Sequence, residues 1–314
     1  MWFWGCPRSF VFINFFLKNN YIVNWIILSC NYGRLGNRLH THANILAWCI
    51  TNDYNLSNLS FRSYSNLFET QRHHSSDSYY KTRNLVFCLM KFNFVCNWIE
   101  KIILSKKWMR RLSFFVHHVE KDNFSTLEER ELNLIKTNKI IIINTWDIRC
   151  PKSINLAGDT VRRLLRPASI YINFASDFTS KLKKHYDCLI GVHARRGDYR
   201  TYLNGKYYYN WETYKKWILE LKLVLKKEGY KKIAFVLCSD ETPPRSILDD
   251  ESIHFTATKE YMIDLYVLTL CNYNLGPPSS FGTWISWHGK VPRLVVNQGT
   301  RIINLENFNI CRSC

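Results

Sequence analysis

The sequence predicts an α/β protein in which two α/β layers face each other across a cleft. Three observations carry that reading. Lys139-Ile-Ile-Ile-Ile-Asn144 is a continuous apolar run bounded by polar residues, as expected of a strand buried on both faces of a parallel sheet. Beyond residue 186 strands alternate with helices, which implies parallel pairing through βαβ crossovers. The chain has 314 residues and is 46% hydrophobic, enough for one large domain or two of ordinary size with a buried core. Ligands of such sheets bind beyond the carboxyl ends of the strands.

The elements follow in order. Residues 21–30 form an apolar run rich in Ile, Val and Trp that reads as a strand. Asn31 to Asn37 make a tight loop, and Leu39, Ala43, Leu46, Ala47 and Ile50 then recur at helical spacing. Residues 70–135 carry polar runs and amphipathic stretches such as 93–112, read as helical, with no chemical motif. Leu165-Arg166-Pro167 breaks the pattern, and a domain junction is expected between there and Tyr186. The remainder reads as strand 188–193, helix 209–228, strand 232–238, helix 259–271, a Gly-Pro-Pro turn, helix 281–288 and strand 292–296.

Lys and Arg number 43 against 25 Asp and Glu, so the net charge of +18 favours phosphates, nucleic acids or anionic head groups as partners. The basic residues lie in short scattered pairs, such as Lys106-Lys107 and Lys231-Lys232, and not in one arm. The 11 cysteines sit mostly in apolar segments and read as small buried hydrophobes of a reducing compartment; Cys311 and Cys314 are the sole Cys-x-x-Cys and no zinc site is expected. The apolar run Ser9 to Leu17 is interrupted by Lys18-Asn19-Asn20, short of the ~20 residues that span a bilayer. A peripheral membrane contact, if there is one, would use Trp2, Phe3, Trp4, Phe15 and Phe16; the expected location is cytoplasmic or membrane-peripheral, or the Golgi lumen if an anchor precedes this sequence.

The chemistry concentrates where strand 188–193 ends. It delivers His193, Arg195 and Arg196 to the carboxyl edge, followed by Gly197, Asp198 and Tyr199. Arginine suits a diphosphate because its planar fork donates two parallel charge-assisted hydrogen bonds and keeps its charge. The competing reading is an arginine pair bridged to Asp198 and other acids. Gly33 and Gly36 allow close backbone approach, and the helix start that follows offers free N–H groups to an anion, although a plain tight turn would use the same glycines. Ser279 and Ser280 precede a helix as N-caps that could also meet phosphate. Asp264 lies near a helix start, where it either compensates the dipole or accepts from a ligand, and Asp240 ends a strand as a turn residue or ligand contact.

His193-Ala-Arg-Arg-Gly-Asp198 resembles the His-x-Arg-Arg-x-Asp motif of the alpha-1,2-, alpha-1,6- and protein O-fucosyltransferases. Gly33-Arg-Leu-Gly-Asn37 resembles the Gly-x-Leu-Gly-Asn start of the alpha-1,2 group, and Asp264 to Asn272 with Gly276-Pro-Pro-Ser279-Ser280-Phe281 is similar to the last block of that superfamily. The three blocks stand in the family's order. The resemblance implies a GT-B fold of two Rossmann-like halves and an inverting transferase that moves fucose from GDP-fucose to a glycan hydroxyl without an obligatory metal or cofactor. It places the acceptor-side half at 21–170 and the donor half at 171–314, after an apolar extension at 1–20. It implies Arg195, His193 and Asp198 as catalytic residues. Gly33, Arg34, Gly36, Asn37, Arg196, Asp240, Asp264, Ser279, Ser280 and Phe281 would bind the donor, with Asp264 on guanine.

His40, Ala194 and Gly282 depart from the family pattern, so another nucleotide-sugar donor stays open. Asp198, Asp53 and Glu69 are alternative bases for the acceptor hydroxyl. A basic polyanion-binding protein is the reading from another class; no nucleic-acid motif is present, so no nucleic-acid partner is expected.

Overall fold

The computed structural model describes residues 24–29, 33–69, 116–120, 125–137, 139–256, 258, 260–297, 299–300 and 303–313. The apolar extension at 1–20, the stretch 93–112 and Cys314 lie outside the described residues.

The chain divides into two compact units, and the division is not a single cut: of the described residues, the second unit takes 33–43 and 63–69 as well as everything from 158 onward. In the first unit, strands β1 (Trp25–Leu28), β2 (Asn55–Asn58), β3 (Val116–Glu120) and β5 (Ile140–Asn144) form a sheet in the order β2-β1-β5-β3. Every pair is parallel, with Trp25 opposite Ile140 and Val116 opposite the same residue from the other side. Ile141, Ile142 and Ile143 are buried, which accounts for the unbroken apolar run. Two short strands, β4 (Leu127–Glu128) and β6 (Ile148–Arg149), pair beside this sheet's connections. Helix α1 (Leu35–Asn52) begins three residues before the expected Arg38, and α2 (Glu129–Ile135) follows β4 through a reciprocal Glu128 and Glu131 capping box. Strand β3 corrects the helical reading of its residues: Val116 to Glu120 is a short edge segment whose pairing with β5 outweighs local pattern.

Helix α3 (Pro151–Leu164) leads to Pro167, at the start of the stretch where a domain junction was expected. Ala168 is extended (φ −61°, ψ 148°) and opens a new helix, α4 (Ser169–Lys183). Leu165-Arg166-Pro167 therefore separates two helices, because proline forbids continuation of the first while extended backbone after it permits a fresh start.

The second unit carries β7 (Cys188–Ala194), β8 (Ile233–Ser239), β9 (Ile253–Phe255), β10 (Tyr273–Gly276) and β11 (Arg293–Val295), all parallel in the order β11-β10-β7-β8-β9. Cys188, Leu189, Ile190, Val192 and Ala194 are fully buried. Helix α5 (Trp211–Lys227) packs on them through Tyr214, Trp217, Ile218, Leu221 and Leu225, whose spacing is that of one helical face. Its N-terminus is closed by the Asn210 side chain, which accepts from the Thr213 N–H at 2.8 Å. Helices α6 (Arg245–Leu248), α7 (Tyr261–Thr269) and α8 (Ser280–Gly289) complete the crossovers. Successive strands add to one side of β7 and then to the other, so the order reverses between β7 and β10. That reversal is the switch point at which open α/β sheets form their ligand crevice.

Five of the six free cysteines described are buried, and burial pushes the Cys188 and Cys271 thiols up to about 12. Among the described residues no helix is long and apolar enough to cross a membrane.

Candidate functional site

At the switch point β7 and β10 run side by side to their carboxyl ends at Ala194 and Gly276. Beyond Ala194 the chain must satisfy backbone N–H groups that no longer have a sheet partner. Asp240, just past the end of β8, does this: one carboxylate oxygen accepts from the Arg196 N–H and the other from the Gly197 N–H, both at 2.9 Å. The curl so formed sends the two adjacent arginines in different directions.

Arg196 turns inward and is 6% exposed. Its Nε donates to Glu241 at 2.9 Å, Nη1 to the Tyr209 carbonyl and Nη2 to the Tyr208 hydroxyl at 2.6 Å, while the guanidinium stacks between the Tyr208 and Trp211 rings. All three guanidinium nitrogens are engaged. Arg196 and Asp240, both expected to bind a ligand, here shape the loop.

Arg195 keeps an edge open. Nε and Nη2 hold both oxygens of Asp198 at 3.0 and 2.8 Å, and Nη1 has no hydrogen-bond acceptor among the described residues. The side chain is 19% exposed and lies over the Tyr199 ring. Burial works against the charge, but the Asp198 hydrogen bond and the nearby Tyr199 and Asp198 charges outweigh it and raise the pKa. Asp198 in turn is held below the ordinary carboxylate range, first by its hydrogen bond to Arg195, and Arg34 approaches it at 3.4 Å. A carboxylate so occupied orients an arginine better than it accepts a proton.

Two helix starts meet beside this pair. Ser279 caps α8, its Oγ accepting from the Gly282 N–H at 3.0 Å, which leaves the N–H groups of Ser280 and Phe281 in the first turn to an outside acceptor. The first turn of α1 packs directly against it. A Cβ on Gly36 would stand 2.7 Å from Ser280 Oγ and 2.9 Å from the Phe281 N, so only glycine fits. His40, one turn further on, binds the Ser280 carbonyl through Nε2 at 2.7 Å. Gly33 takes φ +76°, packs over Asn37 and offers its carbonyl to Arg38 Nε at 3.0 Å. Alanine normally gains about 1 kcal/mol over glycine inside a helix, whereas overpacking costs about 1–3 kcal/mol. Gly36→Ala is therefore expected to lower stability in urea denaturation, and a gain would contradict the contact.

His193 completes the cluster. Its half-buried ring stands 4.8 Å from that of Phe281 and 3.5 Å from Ser279 Oγ. Burial, reinforced by Arg293 and Arg195, holds its pKa down to about 3, so it is a neutral imidazole at physiological pH. Tyr199 donates to the Pro278 carbonyl at 2.6 Å and fixes the turn ahead of α8. Arg34, Arg195 and Asp198 sum to one positive charge, and each helix start adds roughly half a unit. The cluster therefore carries a net positive charge.

Asp264 sits on the same carboxyl edge, beyond β8 and β9. Its Oδ1 accepts from Thr256 Oγ1 at 2.6 Å, and burial raises its pKa. Glu69 accepts from Ser169 Oγ at 2.7 Å and pairs with Arg166, and Asp53, in the first unit, ends α1 with φ +58°. The sequence reading passed over Arg293 and Glu241, and noted His40 only as a departure from the family pattern. An arginine inside an expected buried strand was a usable signal for Arg293. The other two are defined by partners 240 and 45 residues away in the chain. Among the described residues no three His, Cys, Asp or Glu side chains gather as a metal-binding group.

No family model matches the sequence, and neither does any curated protein. Solved structures do. An Arabidopsis thaliana FUT1 point mutant in complex with GDP is similar with a TM-score of 0.60 and 13% identity, over 96% of this chain and 77% of that one. Apo POFUT1 gives 0.48 and 12%, over 88% and 98%, and the fucosyltransferase NodZ from Bradyrhizobium gives 0.47 and 13%, over 88% and 95%. The likeness to FUT1 is one of fold: α/β of the GT-B type with parallel sheets, as expected from the sequence.

Proposed function

We propose that this chain is a metal-independent inverting glycosyltransferase that moves fucose from GDP-fucose to a glycan hydroxyl. The observation that carries the reading is the open Nη1 edge of Arg195, oriented by Asp198 beside the first turns of α1 and α8 at the β7–β10 switch point. The motif strings that resemble the fucosyltransferases supply the residues of this cluster, and the FUT1 structure of similar fold carries GDP.

When the bond between the sugar carbon and the β-phosphate oxygen breaks, the electron pair stays with the diphosphate. A cation already in place there stabilises the transition state more than the bound donor. Arg195 takes this role, with Arg34 and the Ser280 and Phe281 N–H groups on the phosphates. Neutral His193 and Phe281 wall the donor without adding a competing charge. Asp264, at the far side of the same edge, accepts from the guanine ring. The acceptor hydroxyl attacks the opposite face of the sugar carbon and gives up its proton to a base other than Asp198, whose carboxylate is held by Arg195.

Thermal unfolding with GDP, UDP and GDP-fucose in EDTA tests the reading. At a hundred times the dissociation constant, a ligand adds about 2.7 kcal/mol of stability. GDP and GDP-fucose are expected to raise the Tm by several degrees and UDP to leave it unchanged. Stabilisation by UDP alone would move the proposal to another sugar donor. No shift with any nucleotide, together with tight salt-sensitive RNA binding, would replace it with polyanion recognition.

A further inference from the structure

Arg293 opens β11 and is 5% exposed, yet no carboxylate pairs with it among the described residues. Its Nη2 donates to the Pro277 carbonyl, Nη1 reaches Thr283 Oγ1 at 3.4 Å, and the group fills the space beneath Gly282, where a Cβ would fall 2.3 Å from Nη2. Burial lowers its pKa only to about 10, so the charge persists at neutral pH. An interior cation without a counter-ion is costly. A neutral donor could hold the Pro277 carbonyl as well. The charge therefore calls for a partner outside the chain, and above it lies the first turn of α8 with its open N–H groups.

We propose that Arg293 is a positioning residue of the donor site, holding the Pro277–Thr283 turn from below while its charge reinforces the α8 first turn toward the diphosphate. The inference rests on the function proposed above. Arg293 touches neither phosphate nor sugar. It acts through the turn that Tyr199 pins at Pro278 and Arg293 at Pro277. It also faces His193, whose other charged neighbour is Arg195.

The test compares GDP with guanosine, which shares the base and ribose and lacks the phosphates, by calorimetry on wild type, Arg293→Gln and Arg293→Lys. Wild-type binding of GDP is measured first; if there is none, the functional reading fails and not merely this one. In Arg293→Gln, GDP affinity is expected to fall about tenfold with guanosine unchanged, and the salt dependence of GDP binding to weaken. Arg293→Lys should recover most of the loss. The His193 ring, followed by NMR, should titrate at higher pH in the glutamine variant. Equal GDP affinity in all three proteins, or equal loss of GDP and guanosine, would overturn the proposal and leave a packing role. If Arg293→Gln does not fold, Arg293→Lys decides: a few-fold loss confined to GDP supports the inference, and unchanged or equal losses overturn it.

Discussion

Arg195→Ala is expected to cut sugar transfer by roughly 10²–10³-fold, the loss seen when one preorganised donor to a developing charge is removed. Stability should change by no more than about 1 kcal/mol. The two expectations have one cause. Arg195 is held at the carboxyl end of β7 by a bidentate bond to Asp198 that is part-exposed, and Arg34 remains beside that carboxylate when the guanidinium is gone. Little is left buried and unpaired. On the proposed function, the diphosphate would lose the donor that Asp198 orients through two hydrogen bonds. Single-turnover transfer from GDP-fucose and urea unfolding of the same preparation are the measurements. A rate within threefold of wild type would remove Arg195 from the mechanism, and a large loss of stability would make it a scaffold.

Arg196→Ala is expected to behave oppositely, costing about 3–5 kcal/mol of stability, the range for breaking a buried charge network from one side. Its removal leaves Glu241 to Arg200 and takes a donor from the Tyr209 carbonyl and the Tyr208 hydroxyl. The stacked space between Tyr208 and Trp211 empties as well. Any loss of activity should follow the folded fraction in urea and disappear when rates are normalised to it. A stable variant with abolished GDP binding would restore Arg196 to the ligand.

The contrast shows which features could be read from the chain. Long buried strands and periodic helices were legible: β5, β7, β8, α5 and α8 lie within a few residues of their expected places because each carries its burial pattern in its own residues. The short strands β2, β9 and β10 were not. Asn55-Leu-Ser-Asn58 and Tyr273-Asn-Leu-Gly276 have no pattern of their own and become strands only by pairing with β1 and β7. The break at Pro167 was legible, because proline stops a helix locally, and it falls between α3 and α4.

What the sequence by itself determined is the alternation of strand and helix and the delivery of His193 and the arginine pair to a carboxyl edge. Both are local properties: hydrophobic periodicity and adjacency along one strand. Only the tertiary structure decided which arginine faces outward, because that depends on Asp240, Glu241 and Trp211 closing around Arg196. It alone also brought Gly36 against Ser280 and placed Arg293 beneath α8. Hydrogen bonds and steric contacts act over a few ångströms, and residues so far apart in the chain come within that reach only once the fold has formed.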